Sequence, residues 1–268
     1  MKRIYSHIQL PKLILKQFMN SKKQVPYLDL LEDKIKSRGP SQLNTEYGYF
    51  NEENETFLNQ KVEDKFGKIC LKIRLFANKD VENMPIAPEF EGITKNFVWF
   101  SVLRGESAKK LVELNCIAKS EGNKTQDIPI EYGRRVEMPP KIFDDFRLNI
   151  LVNKTELGFA VPRACWYPVS HEGCVTYVIP IAPYAAFILM DKDQIKQHID
   201  EGYLFHGIVE NRIDVERMNQ YALHFEYVQN KAFIAAIDCT ELNRLQGYLN
   251  THKEQYDKER QKLFGSKI

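Results

Sequence analysis

"CVTYVIPIAPYAAFILM", residues 174–190, is the stretch on which the fold turns. It consists of two apolar runs, 174–182 and 184–190, divided at Pro183 and rich in β-branched and aromatic side chains. Runs of that length and character, bounded by turn residues, read as β-strands. Just upstream, "RLNILVN" (147–153) and "LGFAVP" (157–162) have the same character. The four together predict an antiparallel sheet.

The regions on either side of it read as helical. Downstream, Val215, Met218, Ala222 and Phe225 mark one helix. Leu242, Leu245, Leu249, His252, Tyr256 and Leu263 mark the last, with Thr240 at its N-cap. Upstream, Leu58, Val62, Phe66, Ile69, Ile73 and Phe76 recur at spacings of four and three, one stripe of an amphipathic helix over 52–77. Glu52, Glu53 and Glu55 fall in its first turns, where the helix dipole favours acids. A second long helix is predicted over 94–119, carrying Phe97, Phe100 and Leu103 on one face. Residues 78–92 and 120–141 are polar and proline-containing and read as loops, the second one long. Nearer the start, "PKLILKQF" (11–18) reads as an anchor helix within 10–19. Pro11 suits its first turn, and Leu15 and Phe18 pin it to the core. "VPYLDLL" (25–31) is β-like and "KSRGPSQLN" (36–44) is loop. Helices precede the strands and follow them, so the class is α+β, one domain over 1–268 with helices packed on an antiparallel sheet.

Composition agrees with a folded core. Of 268 residues, 43% are hydrophobic and 28% charged, the balance of a globular chain rather than a disordered one. The net charge of +2 neither demands nor excludes a nucleic-acid partner. The five cysteines, Cys70, Cys116, Cys165, Cys174 and Cys239, are scattered and odd in number, which argues against a disulfide framework and for reduced thiols. No apolar run approaches the length of a membrane span, and Pro11 and Lys12 break any signal-peptide core. A cytoplasmic protein without a membrane partner is expected.

The opening segment also resembles the start of a bacterial and phage family of domains of unknown function, the one numbered 4238. Its members begin His-x-x-Pro, then a spacer, an aromatic or apolar pair, Leu, a base, an amide and Phe. Here Pro11, Leu13, Ile14, Leu15, Lys16, Gln17 and Phe18 stand at those positions, with His7 one residue further from the proline. Three later segments are similar to family segments. These are 44–69, a loop with an aromatic before a glutamate-bearing helix; 95–111, a central helix closed by Arg104; and the strands of 148–169 and 177–190 with the Pro180–Pro183 turn. Where the family carries an aspartate ahead of a proline, this chain reads "AVPRACWYP", so no role for that acid carries over. The resemblance implies an α+β domain of prophages and genomic islands, hence a part in phage defence.

Candidate chemistry centres on His7, Arg104 and Glu63. A histidine suits acid–base work or metal ligation. An arginine that ends an apolar aromatic helix must find an acceptor, because an unpaired buried charge is costly. Glu63, on the other long helix, is that acceptor in an internal salt bridge, whereas in an open cleft Arg104 would bind anions. Glu-Asp-Lys occurs at 32–34 and 63–65, the acid and base types with which restriction-type nucleases hold a divalent cation; the first copy follows a β-like run, the right context, but no Pro-Asp precedes it, and the second lies on a helix. Arg134 and Arg135, with Lys124 and Lys141, are candidates for phosphate contact. "CWYPVSHEGC" (165–174) gathers Cys165, His171, Glu172 and Cys174, but a structural zinc site calls for a second pair, and an aromatic hairpin is the favoured reading. No phosphate-binding glycine loop of the dinucleotide or P-loop kind occurs, which disfavours nucleotide binding through such loops and leaves the cofactor open.

Two functions follow from these readings. The first is an effector acting on nucleic acid in phage defence, cutting RNA or DNA with His7, Arg104 and Glu63. The alternative is a non-enzymatic binding or sensing module that recognises a phage or host protein. An open pocket holding the three residues favours the first, and a closed salt-bridge network favours the second.

Overall fold

A computed structural model describes residues 5–7, 9–43, 45–47, 49–77, 84–85, 89–105, 107–110, 125–135, 141–171, 174–192, 203–204 and 206–265. The strands are β1 (Tyr5–His7), β2 (Val25–Asp29), β3 (Lys34–Arg38), β4 (Thr45–Tyr47), β5 (Met84–Pro85), β6 (Phe146–Asn153), β7 (Val161–Pro162), β8 (Tyr167–His171), β9 (Cys174–Ala182), β10 (Ala185–Asp191), β11 (Tyr203–Leu204), β12 (His206–Val209) and β13 (Phe233–Ala235). The helices are α1 (Lys12–Leu15), α2 (Glu52–Phe57), α3 (Asp64–Ala77), α4 (Glu89–Leu103), α5 (Asp127–Arg135), α6 (Arg212–Gln229) and α7 (Cys239–Phe264).

The 174–190 stretch forms the β9–β10 hairpin, and β10 lies in the middle of a five-stranded sheet ordered β12-β6-β10-β9-β8. Its pairings with β6 and β9 are antiparallel, as expected. The sheet as a whole is mixed, because β12 joins β6 in parallel. The continuous apolar run of β10 has a direct cause. Ala185, Phe187 and Leu189 enter one core, while Ala186 and Ile188 enter another on the opposite face. A strand covered on both faces carries apolar residues at every position. A second sheet, ordered β3-β2-β13-β7, divides in the same way. Tyr27 and Phe233 join the first core and Leu28 and Ile234 the second.

One face is covered by the N-terminal half. Leu10, Ile14, Leu15 and Phe18 are fully buried, so the first segment is the expected anchor, α1 continued by a 3-10 turn at Lys16–Phe18. The predicted 52–77 helix is continuous, but Leu58–Glu63 is wound as a π-helix between α2 and α3. Every residue of the predicted stripe is buried. Phe66 of α3 stacks on Phe97 of α4 at 3.8 Å and 6° and meets Phe187 of β10 at 5.6 Å, tying both helices to the sheet. Helix α4 starts at Glu89 rather than at residue 94 and stops at Leu103, just before Arg104 and Gly105. Residues 111–119 of its predicted extension lie outside the described residues.

Three regions depart from the sequence reading. Within the predicted 120–141 loop, residues 127–135 form helix α5. It is marked by Asp127 in its first turn and by Arg134 and Arg135 in its last, the placement that the helix dipole favours. Gly133 lets α5 lie against α4, since a Cβ there would fall 2.3 Å from Leu103 Cδ1. Residues 34–38, partly assigned to a loop, are the charged, exposed edge strand β3, a composition that guards an open edge. The predicted strand over 157–162 pairs as a strand only at Val161–Pro162. Side chains of α6 engage two of its remaining backbone groups and one just beyond it. Ala160 N donates to Asn219 Oδ1 at 2.7 Å and Ala164 N to Glu226 Oε2 at 3.0 Å, while Asn219 Nδ2 donates to the Gly158 carbonyl at 3.0 Å.

Helices α6 and α7 cover the other face and run side by side in the same direction. Glu216 approaches Arg244 at 4.0 Å near their starts, and Arg260 donates to the Val228 carbonyl at 2.8 Å near their ends. The N-cap of α7 is Asp238, whose carboxylate accepts from Glu241 N at 3.0 Å, two residues before the expected Thr240. No described helix is long and apolar enough to cross a membrane.

Candidate functional site

Arg104 follows directly on α4 and Glu63 closes the π-helical turn, and the two meet. Arg104 Nη1 donates to Glu63 Oε1 at 2.6 Å, with side chains 2% and 13% exposed. This is the internal salt bridge expected from an arginine at the end of an apolar helix. Burial pushes the Glu63 carboxyl up, and the charge and hydrogen bond of Arg104 pull it back. Behind the pair, burial raises the Cys165 thiol well above its usual value, with Cys70 and Glu63 adding to the effect. Two polar atoms at this centre, Arg104 Nε and Gln9 Oε1, have no hydrogen-bond partner among the described residues. The third predicted residue, His7, contributes its backbone to β1, where it pairs with Thr45. Its side chain lies outside the described part of the structure, so the structure brings together two of the three.

The other candidates are placed as follows. Arg134 is engaged with Glu53, with Asn54 Oδ1 at 3.1 Å and with the Phe57 ring at 5.2 Å, tying α5 to α2. The 165–174 segment is the turn into β8 and the β8–β9 hairpin, in which His171 pairs with Cys174. Glu172 and the His171 side chain lie outside the described residues. Cys165 is fully buried at the opposite end of β8, with φ 69°. The Glu-Asp-Lys at 32–34 forms the β2–β3 turn, with Asp33 at φ 53°, and the copy at 63–65 is helical. Among the described residues no three histidine, cysteine or acidic side chains could hold a metal ion. Cys70, Cys165, Cys174 and Cys239 are free thiols, and Cys116 lies outside the described residues.

Sequence reasoning missed an open cleft of about 440 Å³ between α6 and α7. Arg217, Gln220, Tyr221 and His224 line it from α6, and Tyr248, His252, Gln255 and Tyr256 line it from α7. On α7 the spacing of four places three rings in register. Tyr248 and His252 stack at 4.1 Å and 25°, and His252 and Tyr256 follow at 5.9 Å and 25°. His224 approaches Tyr256 from the other helix at 4.5 Å.

Both imidazoles are oriented by their partners. His252 Nδ1 lies 2.9 Å from the Tyr248 carbonyl, which can only accept, so that nitrogen carries the proton and Nε2 is left for a ligand. His224 Nε2 lies 2.6 Å from Glu259 Oε2. Hydrogen bonds from Gln255 and His224 hold the Glu259 carboxyl below its ordinary value, so it accepts and His224 donates. Burial, with Tyr248 adding to it, pushes the Tyr256 phenol up.

The available signal was the Tyr248, His252, Tyr256 series, but the sequence reading assigned its last two members to a core stripe. Tyr256 is indeed buried, whereas Leu263, at the end of that stripe, is 56% exposed. Comparison with family models, with curated proteins and with solved structures gives no match. The site therefore stands on its geometry.

Proposed function

We propose that this chain is a non-enzymatic recognition module and that the α6–α7 cleft is its recognition surface. The observation that carries this reading is the closure of the Glu63–Arg104 centre. An acid and an arginine that cut nucleic acid must be reached by a phosphate, and the Arg104 side chain is 2% exposed with its guanidinium engaged by Glu63. The cleft is open by contrast, and its rings, amides and oriented imidazoles suit holding a partner. In the prophage and defence setting that the resemblance implies, such a module senses a phage or host component. The test is induced expression in a bacterium with and without phage, reading growth and RNA integrity for the wild type and for Tyr221→Ala. The expected result is intact RNA throughout and a phage-linked phenotype that Tyr221→Ala abolishes. RNA or DNA degraded on induction, equally in wild type and Tyr221→Ala, would transfer the activity to a different centre and end this reading.

A further inference from the structure

We infer that the ligand of the α6–α7 cleft is a nucleotide, a planar heteroaromatic ring carrying a phosphate, either free or as part of a single strand. The inference rests on the reading of this cleft as the recognition surface. The lining supplies each element that such a ligand needs. Tyr221, 44% exposed on α6, and Tyr248, the half-buried outer member of the α7 ring stack, offer π-faces to a base. Stacking of this kind accepts every base and is strong enough to anchor one. Amide groups provide edge recognition. Gln255 Nε2 is committed to Glu259 at 2.9 Å, which leaves its carbonyl oxygen as an acceptor, and Gln220 brings a donor and an acceptor on the facing helix.

A cation stands on the cleft wall. Arg217 has a side chain 69% exposed and only a 4.0 Å approach to Asp214, so its guanidinium can turn to a phosphate and grip it with two donors. The volume, about 440 Å³, falls in the range of small-ligand sites. A purely apolar ligand is disfavoured, because every lining side chain carries a polar atom: the two histidines, and Arg217, Gln220, Tyr221, Tyr248, Gln255 and Tyr256.

The experiment is calorimetric titration of the whole chain with AMP, GMP, CMP and UMP, with ribose 5-phosphate, and with a short mixed-sequence single-stranded RNA. At least one monophosphate should bind, and ribose 5-phosphate, which lacks the ring, should bind at least about tenfold more weakly. Tyr221→Ala and Arg217→Ala, both at exposed positions, should each weaken binding about tenfold while the thermal midpoint stays at its wild-type value. A strand that binds more tightly than any monophosphate identifies single-stranded nucleic acid as the source, and equal binding identifies the free nucleotide. No binding of any monophosphate or of the strand at millimolar concentration overturns the inference, as does binding that both variants leave unchanged. If no nucleotide binds but Tyr221→Ala still abolishes the phage-linked phenotype, the nucleotide inference falls and the cleft remains the recognition surface. If Tyr221→Ala changes neither binding nor phenotype, both fall.

Discussion

The two helical layers each bury a glutamate against the central sheet, and they hold it in different ways. Glu63 faces a guanidinium at 2.6 Å. Glu226, with no exposed surface, is held by amides, from Ala164 at 3.0 Å and from the Asn230 side chain at 3.2 Å. Burial raises both carboxyls. At Glu63 the charge and hydrogen bond of Arg104 oppose it, whereas at Glu226 the charge of Arg163 and hydrogen bonds from amides oppose it and leave the carboxyl at about 7. The lesson concerns what each glutamate depends on. The first leans on one hydrogen-bonded cation, and the second on several amide hydrogen bonds beside a charge.

The sharpest way to break this contrast is to remove the partner. Arg104→Ala leaves the Glu63 carboxylate buried without its cation and should cost about 3 to 5 kcal/mol, read from urea midpoints. A loss no larger than that of an exposed ion pair would show that the pair carries no stability. Phe18→Ala, on the same side of the sheet, is the apolar yardstick. It should cost a similar amount, about 3 to 5 kcal/mol, because Phe18 is fully buried in the anchor segment.

Glu226→Gln tests the other half. In the folded chain Glu226 binds its proton up to about pH 7, and its ordinary value is 4.5. The native state therefore holds more protons than the unfolded state in that window, and stability falls as pH rises through it and stays low above it. A glutamine at this position cannot ionise, so the variant should gain on the wild type by about 1 to 3 kcal/mol between roughly pH 5 and pH 8. Thermal melts at the two values give the difference, and a gap that does not change with pH would mean that Glu226 is ionised throughout.

Smaller effects sharpen the picture. With a thiol reagent, Cys239, which is exposed, should react in the folded state, while Cys70 and Cys165 should react only on unfolding. A native disulfide detected by alkylation without reductant would contradict the scattered arrangement of free thiols. At the small end, Lys258→Ala removes an exposed pair with Glu254 and should leave the midpoint unmoved, in contrast to Arg104→Ala.

What the sequence revealed depended on how strongly a residue's surroundings constrain it. Leu58 to Phe76 and the 174–190 runs were legible because burial dictates apolar residues at a fixed period. The Arg104–Glu63 contact was legible because a charge that ends an aromatic helix has few permitted neighbours. Strand β3 was hidden because an edge strand such as Lys34–Arg38 carries the charges of a loop. Helix α5 was hidden because only Pro129 and Ile130 give it apolar burial, the rest of its docking resting on Asp127, which accepts from Asn51 and Asn54, and on Gly133 under Leu103. The cleft escaped notice because it is made by two helices side by side, and no single segment carries the pattern. Its histidines gain their orientation from Glu259, and from a carbonyl one turn away, only once the helices have formed.

The π-helical turn at Leu58–Glu63 has a consequence for how this sequence can change in length. Such a turn holds one residue more than the surrounding α-helical winding requires, so it is a place where a single-residue deletion leaves the helix unbroken. Removing Asn59 would convert the six π-wound residues into about five α-wound ones. Because π winding turns less per residue, the two stretches rotate the chain through nearly the same angle, and α2 keeps its phase relative to α3. Asn54 would stay on Asp127 while Phe66 kept its place on the sheet. The turn thus absorbs a change in length locally, and among related chains a one-residue loss here should leave the docking of α2 on α5 intact.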